Sequence, residues 1–239
     1  MPIRRFILCA LGVFAFAATA ATAHADDYPS RPIRVIVGFA AGGGNDLFAR
    51  LVIQKFQEQT GHKAIIENKP GAGGRLASEY VAKQAPDGYT VMVGATGQMS
   101  IATAVIHNIT YNAMTSFIPL NMIASFPLVL AHKTKALAVT GSERSPLLPD
   151  VPTMAEAGYP EVNIELWSGF FVPAGTPKPI VDQLTRELGK ALADAHVQEG
   201  LKKMAVTPGG PTGAAFGKVI AKDIETYKGV AAAAHLKFD

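Results

Sequence analysis

The sequence is poor in the residues that most often carry catalysis. Its one cysteine, Cys9, lies in an apolar leader, no Gly-x-Ser-x-Gly elbow occurs, and no two histidines stand at His-x-x-x-His or His-Glu-x-x-His spacing. A thiol nucleophile, a serine elbow and a zinc helix therefore have no local signature. His62, His107, His132, His196 and His235 are dispersed and read as surface residues. Charged residues make up only 17% of the chain, with no block of like sign, no low-complexity tract and no internal period. That leaves out a disordered tail and a repeat array. No apolar run reaches the roughly 20 residues a membrane span requires. No metal or cofactor is implied.

The first 25 residues, "MPIRRFILCALGVFAFAATAATAHA", do not read as part of a fold. Arg4 and Arg5 precede an apolar run, and Ala23-His24-Ala25 forms an A-x-A site, so 1–25 is expected to be a secretory signal cleaved before Asp26. Cys9 follows Leu8 rather than a small residue, which argues against lipid-anchored cleavage there. The mature chain then has no thiol, as suits an oxidising compartment in which disulfides are not used. Loss of Arg4 and Arg5 takes Lys plus Arg from 22 to 20 against 19 acids, a net charge of +1 instead of +3. Such a balance gives no surface for nucleic acid or anionic membrane.

The mature chain is rich in glycine, and the glycines sit in a pattern. "IRVIVGF" reads as a buried strand, and "NDLFARLVIQKFQEQTG" as a helix capped by Asn45 or Asp46 and ended by Gly61. "KAIIEN", "PGAGG" and "RLASEYVAKQ" repeat the order of strand, glycine loop and helix; "YTVMVG" and "ATGQMS" begin it a third time. Parallel βαβ units give this order, and ligands of such sheets sit beyond the carboxyl ends of the strands. All three loops are thus expected at one edge. Downstream, "IPLNMIASFPLVLA" reads as two adjoining strands, "KALAVTG" as another, "TMAEAG" as a short helix and "NIELWSGFFVPAGTP" as a long aromatic strand. "PIVDQLTRELGKALADAHVQEGLKKM" is one helix or two, "VTPGG" a last short strand or turn, and "TGAAFGKVIAKDIETYKGVAAAA" a terminal helix capped at Thr212.

The loop "GFAAGGGND" is neither of the common phosphate motifs. A Walker loop ends in Gly-Lys-Ser/Thr, whereas Gly43-Gly44 is followed by Asn45-Asp46; the dinucleotide fingerprint needs a third glycine where Leu47 stands. Backbone amides at a helix start still favour an anion, and a carboxylate fits as well as a phosphate. The plain alternative is that Gly42 to Gly44 only permit a tight turn. Asp46 is read as a cap before a ligand contact, and Trp167, Phe170 and Phe171 as core before a pocket wall.

"YPSRPIRVIVGFAAGGGNDLFARLV", "IIENKPGAGG", "APDGYTVMVG", "ALAVTGSERSPLLPDVPTMAEAGYP" and "LWSGFFVPAGTPKPIVDQL" resemble, in this order, the substrate-binding proteins of tripartite tricarboxylate transporters, the Bug family. The resemblance implies a non-enzymatic, monomeric periplasmic receptor with an α/β, type II periplasmic binding protein fold. It would take a small carboxylate, whether a di- or tricarboxylate, an amino acid or an aromatic acid, and deliver it to membrane subunits. It also implies ligand contacts at Phe39, Ala40, Ala41, Gly42, Gly43 and Asp46, at Ala72 and Gly73, and at Thr96 and Gly97.

The chain departs from the family pattern after "SFPLVLA". Family members there enter a long second lobe, whereas here only His132, Lys133 and Thr134 separate Ala131 from Lys135. The implied architecture is a first lobe from 26–125 and 161–239, intact, with 126–160 as hinge strands and the remnant of a second lobe that is largely deleted. Two other readings stand beside the receptor: a relic of the deletion that binds nothing, and a small α/β hydrolase or isomerase.

Overall fold

The computed structural model describes residues 28–132, 135–145 and 147–235. The expected leader, with Cys9, lies outside the described residues. Strands β1 (Ile33–Val37), β2 (Ala64–Asn68), β3 (Thr90–Ala95), β4 (Phe117–Pro127), β7 (Glu165–Pro173) and β8 (Thr207–Pro208) form one six-stranded sheet in the order β2-β1-β3-β7-β4-β8. β1 pairs in parallel with β2 and with β3, as the repeated strand, loop and helix order predicts. β7 then enters antiparallel between β3 and β4, and β8 closes the edge against Ala124 and Ser125.

The strands read as unbroken apolar runs because both faces of the sheet are covered. Ile33, Val35 and Val37 face one core, with Phe48, Val52 and Phe56 of α1 (Gly44–Thr60) and Leu184 and Leu188 of a later helix. Ile36 and Met92 face the other, with Ala77 and Val81 of α2 (Arg75–Ala82). Neighbouring residues go to opposite sides, as the two-residue period of a strand requires. So Phe170 joins the first core and Phe171 the second.

A short α3 (Ala102–Val105) follows β3 by way of a π-helical turn, Gly97–Ile101. The expected loop "ATGQMS" is therefore mostly helical, because Gly97 passes directly into turns that bury Gln98, Met99 and Ser100. The ambiguous C-terminal stretch forms two helices, α4 (Lys178–Leu192) and α5 (Ala195–Lys203). Asp194 breaks them by accepting from the amides of His196 and Val197, an N-cap. The terminal helix α6 (Gly213–Ala233) is preceded by Thr212, as expected, although the threonine hydroxyl makes no cap bond. The short helix expected at "TMAEAG" is a single turn. Thr153 and Glu156 exchange a capping-box pair of bonds, but Gly158, at φ 95°, stops propagation after the Ala157 amide has reached Thr153 O.

Trp167, on β7, is core, as read: its ring meets Phe216 edge-on at 4.9 Å. Its indole N–H donates to Asp223 Oδ2 on α6 at 2.7 Å, the partner a buried indole needs. Burial pushes the Asp223 carboxyl above its ordinary range, against the lowering effect of that bond.

Between β4 and β7 the chain makes an excursion from Leu128 to Ile164. It contains an antiparallel hairpin, β5 (Val129–His132) with β6 (Lys135–Val139), which forms a sheet of its own. Thr140 closes its base. The Thr140 amide donates to Leu128 O at 2.9 Å and its hydroxyl accepts from the Leu128 amide at 2.9 Å. Towards the returning strand, Thr140 O accepts from the Ile164 amide at 3.1 Å, and the hydroxyl donates to Ile164 O.

Candidate functional site

Because β1, β2 and β3 are parallel, the connections that leave them emerge at one edge, joined there by the end of β4 and the start of β7. The first connection is shaped by Asp46. This side chain is fully buried, and the expected cap role is realised in a different form. The residue before the helix is Gly43, and Asp46 reaches back from the first turn of α1. Its Oδ2 accepts from the Gly42 amide at 2.8 Å and from Arg50 Nε at 2.8 Å, while Oδ1 accepts from Asn68 Nδ2 at 2.8 Å. Burial raises the Asp46 pKa, but the bonds from Arg50, Gly42 and Asn68 outweigh it and hold the carboxyl at about 2. Asn68, at the end of β2, also donates to Phe39 O at 3.0 Å, so the first two connections share one bonded knot.

The connections are also pressed together by absent side chains. A methyl group on Gly38 would come within 2.9 Å of the Gly74 Cα, and one on Gly74 would collide with Gln98 Oε1. Gly74 has φ 92° as well, so conformation and space both require glycine there. Gln98 binds this junction from the third connection: its Nε2 donates to Ser78 Oγ at 3.1 Å, and Tyr111 donates to its main-chain oxygen at 2.5 Å. Thr96 is buried, and its hydroxyl accepts from the Trp167 amide at 2.7 Å, fastening β3 to the start of β7. Ser168 of β7 donates to Asn45 Oδ1 and ties β7 to α1.

The residues named from the sequence thus share one edge but divide in kind. Ala40, Ala41, Gly42, Ala72, Gly73 and Gly97 are exposed, and Phe39 and Gly43 are half-buried. Asp46 and Thr96 are interior and fully occupied by protein partners. Methyl groups added at Gly42, Gly73 or Gly97 would meet nothing within 4 Å, so open space borders all three connections. At the start of α1 the amides of Gly44 and Asn45 have no intrahelical acceptor, where the helix dipole favours an anion. The sequence does not single out Asn68, Gln98 or Ser168, and Asn45, named only as a possible cap, instead accepts from Ser168. All four lie in or beside stretches quoted for other features, Asn45 in "GFAAGGGND", Asn68 before "KPGAGG", Gln98 in "ATGQMS" and Ser168 in "LWSGFF", but nothing local marks the bonds they make.

Beside this edge lies a cleft of about 590 Å³. Gly44, Asn45 and Phe48 form one wall, and Phe126, Pro127 and Val129, where β4 gives way to the hairpin, form another. Leu147, Leu148 and Met204 complete it. Among the described residues no group of three or more His, Cys, Asp or Glu side chains is placed to hold a metal ion, and no helix is long and apolar enough to cross a membrane.

The sequence matches the family model for the tripartite tricarboxylate transporter family receptor over residues 48–134 and 120–236. It is 26% identical to protein BugT of Bordetella pertussis over an alignment of 312 positions, which covers 94% of this chain and 96% of the relative. A protein from the tcbD-tcbE intergenic region of a Pseudomonas species is 25% identical, with 87% of each chain covered. Among solved structures, MatC of Rhodopseudomonas palustris with bound malate matches with a TM-score of 0.78 at 26% identity, covering 85% of this chain and 99% of that one. The periplasmic binding protein BugD matches with a TM-score of 0.76 at 25% identity, covering 88% and 99%. The family is one of periplasmic solute receptors, not enzymes, and MatC and BugD share this mixed α/β fold. With the family model matched over most of its length and the fold found again in MatC and BugD, the chain belongs to the receptor family of the tripartite tricarboxylate transporters.

Proposed function

We propose that the chain is an extracytoplasmic receptor that takes a small carboxylate at the glycine edge and presents it to the membrane subunits of a tripartite tricarboxylate transporter. The observation that carries this reading is the convergence of three glycine-bearing connections at one open edge, beside a helix start whose first two amides, those of Gly44 and Asn45, have no intrahelical acceptor. MatC, with malate bound, supports a carboxylate as the ligand class. Phe39, Ala40, Ala41, Ala72, Gly73 and Gly97 supply backbone contacts; Gly42 and Gly43, whose amides are held by Asp46 and by Ala40 O, shape the loop, and Asp46 and Thr96 hold the frame. The leader at 1–25 exports the chain to the periplasm, where it acts as a monomer.

In this reading 126–160 is what remains of a second lobe, with 26–125 and 161–239 forming the first. Two facts support it. The alignment with BugT runs over 312 positions although the chain has 239 residues, so it passes over stretches of the relative that this chain lacks. The family match also falls into two segments that overlap at 120–134, where β4 leads into the hairpin.

A thermal-shift series on the chain from Asp26 onward tests the reading, with citrate, malate, succinate, glutamate and benzoate as ligands. A ligand that binds only the native state raises the melting temperature in a saturable way. Stabilisation by at least one acid is expected; a cooperative melt unmoved by all of them would sink the proposal. A second reading, a relic that binds nothing, draws on Leu128, Val129, Leu130 and Leu137, large apolar side chains exposed on and beside the hairpin. Absence of any cooperative melt would favour it.

A further inference from the structure

We infer that the ligand of this receptor is a monocarboxylate with an apolar body, an aryl- or alkyl-substituted acid, and not a di- or tricarboxylate. The inference rests on the carboxylate-receptor reading above and narrows its ligand. It comes from the walls of the 590 Å³ cleft, a volume within the range of small-molecule sites. Phe48, Phe126, Val129, Leu147, Leu148 and Met204 face that space, Ser145 and Asn45 are the polar side chains beside them, and among the described residues no lysine, arginine or histidine lines it. The Phe48 and Phe126 rings pack on each other, 6.4 Å apart and tilted by 55°, so this side of the cleft is an apolar aromatic surface.

One end of the cleft suits an anion: Gly44 and Asn45 open α1 there, with main-chain amides that the helix does not use. The cation nearest in sequence, Arg50, is already held by Asp46 and by Asn68. A second carboxylate further along would lie against leucine and phenylalanine with only the Ser145 hydroxyl and no described cation beside it, which gives it little in exchange for lost hydration. The adjoining cavity of about 520 Å³, which shares Pro127, Ser145 and Leu147, does not supply one. Its lining holds two cations, Arg144 and Lys202, and two acids, Glu143 and Glu165, so it carries no net positive charge, and Arg144 is bound to Glu156 at 2.8 Å.

Calorimetric titration of the chain from Asp26 onward with phenylacetate, octanoate, glutarate and citrate tests the inference, with phenylacetamide as the uncharged control. Phenylacetate or octanoate is expected to bind at least about tenfold tighter than glutarate or citrate, and phenylacetamide to lose that affinity. Leu147→Asp puts a carboxylate at a wall position that is 64% exposed. It is expected to leave the melting temperature unchanged while weakening the monocarboxylate about tenfold or more. Tighter binding of glutarate or citrate, equal binding of the amide, or indifference to Leu147→Asp overturns the inference and leaves the receptor reading standing. No saturable binding by any acid to a cooperatively melting chain removes the receptor reading, and this inference with it.

Discussion

Asp46 illustrates how a residue's type can be read correctly and its use missed. An acid in the first turn of a helix signals a cap, but nothing local tells that its bond runs backwards to Gly42, or that Asn68 comes across from β2 to meet it. Removing the charge with Asp46→Asn should cost about 2 kcal/mol at pH 7, read from urea denaturation, since the one oxygen that asparagine keeps can serve either Asn68 or the pair Gly42 and Arg50, and the amide that replaces the other oxygen faces a donor. The folded carboxyl sits at about 2, below its ordinary 3.8. Its contribution is therefore complete above that ordinary value and fades as pH falls from it towards 2, so the gap between wild type and variant should narrow at pH 3. Two glycines at the same edge should separate stability from binding. Gly74→Ala meets both φ 92° and Gln98 Oε1, and a loss of roughly 2–3 kcal/mol is expected. Gly97→Ala meets open space with no left-handed backbone; its melting temperature should be unchanged while the affinity for the carboxylate identified by thermal shift drops, because the new methyl stands on the exposed edge.

The elements were legible in proportion to how local their causes are. β1 and β3 announce themselves as apolar runs, and α1 by its terminal Gly61, at φ 73°. The insertion of β7 between β3 and β4 had no such signal, because strand order is fixed by pairings such as Gly94 with Gly169, 75 residues apart in the chain and silent in any short window. The helical turns after β3 were hidden for a related reason: Gly97 reads as a loop residue, and what buries Gln98 is Ser78 on another element. The hairpin β5–β6 was legible as strands, and its surroundings define its risk. Leu130 is 50% exposed on a strand whose sheet has only two members. Short apolar strands with free edges promote association unless they carry charge. Leu130→Lys should therefore raise the concentration at which the protein scatters light and reduce binding of a hydrophobic dye, with folding stability within about 0.5 kcal/mol of wild type.

At the scale of the whole molecule, the two cores lie against a single sheet, and the excursion from Leu128 to Ile164 contributes little to either. A receptor that traps its ligand by hinge closure becomes more compact when loaded. On the proposed reading, in which 126–160 is what remains opposite the glycine edge, loading should leave the radius of gyration unchanged within error in small-angle X-ray scattering, and a clear contraction on ligand addition would contradict that reading. The overall class was readable because the order of the glycine connections is itself long-range information. The selectivity was not, because the cleft walls come from positions as distant as Phe48, Leu147 and Met204. The bonds at Thr140 give the excursion one more meaning. They hold Leu128 and Ile164 at a fixed spacing, whatever lies beyond, so the sheet is indifferent to the length of chain inserted there. For protein engineering this is a socket: a complete lobe transplanted from a longer relative between Leu128 and Thr140 would inherit its attachment from bonds that are already made.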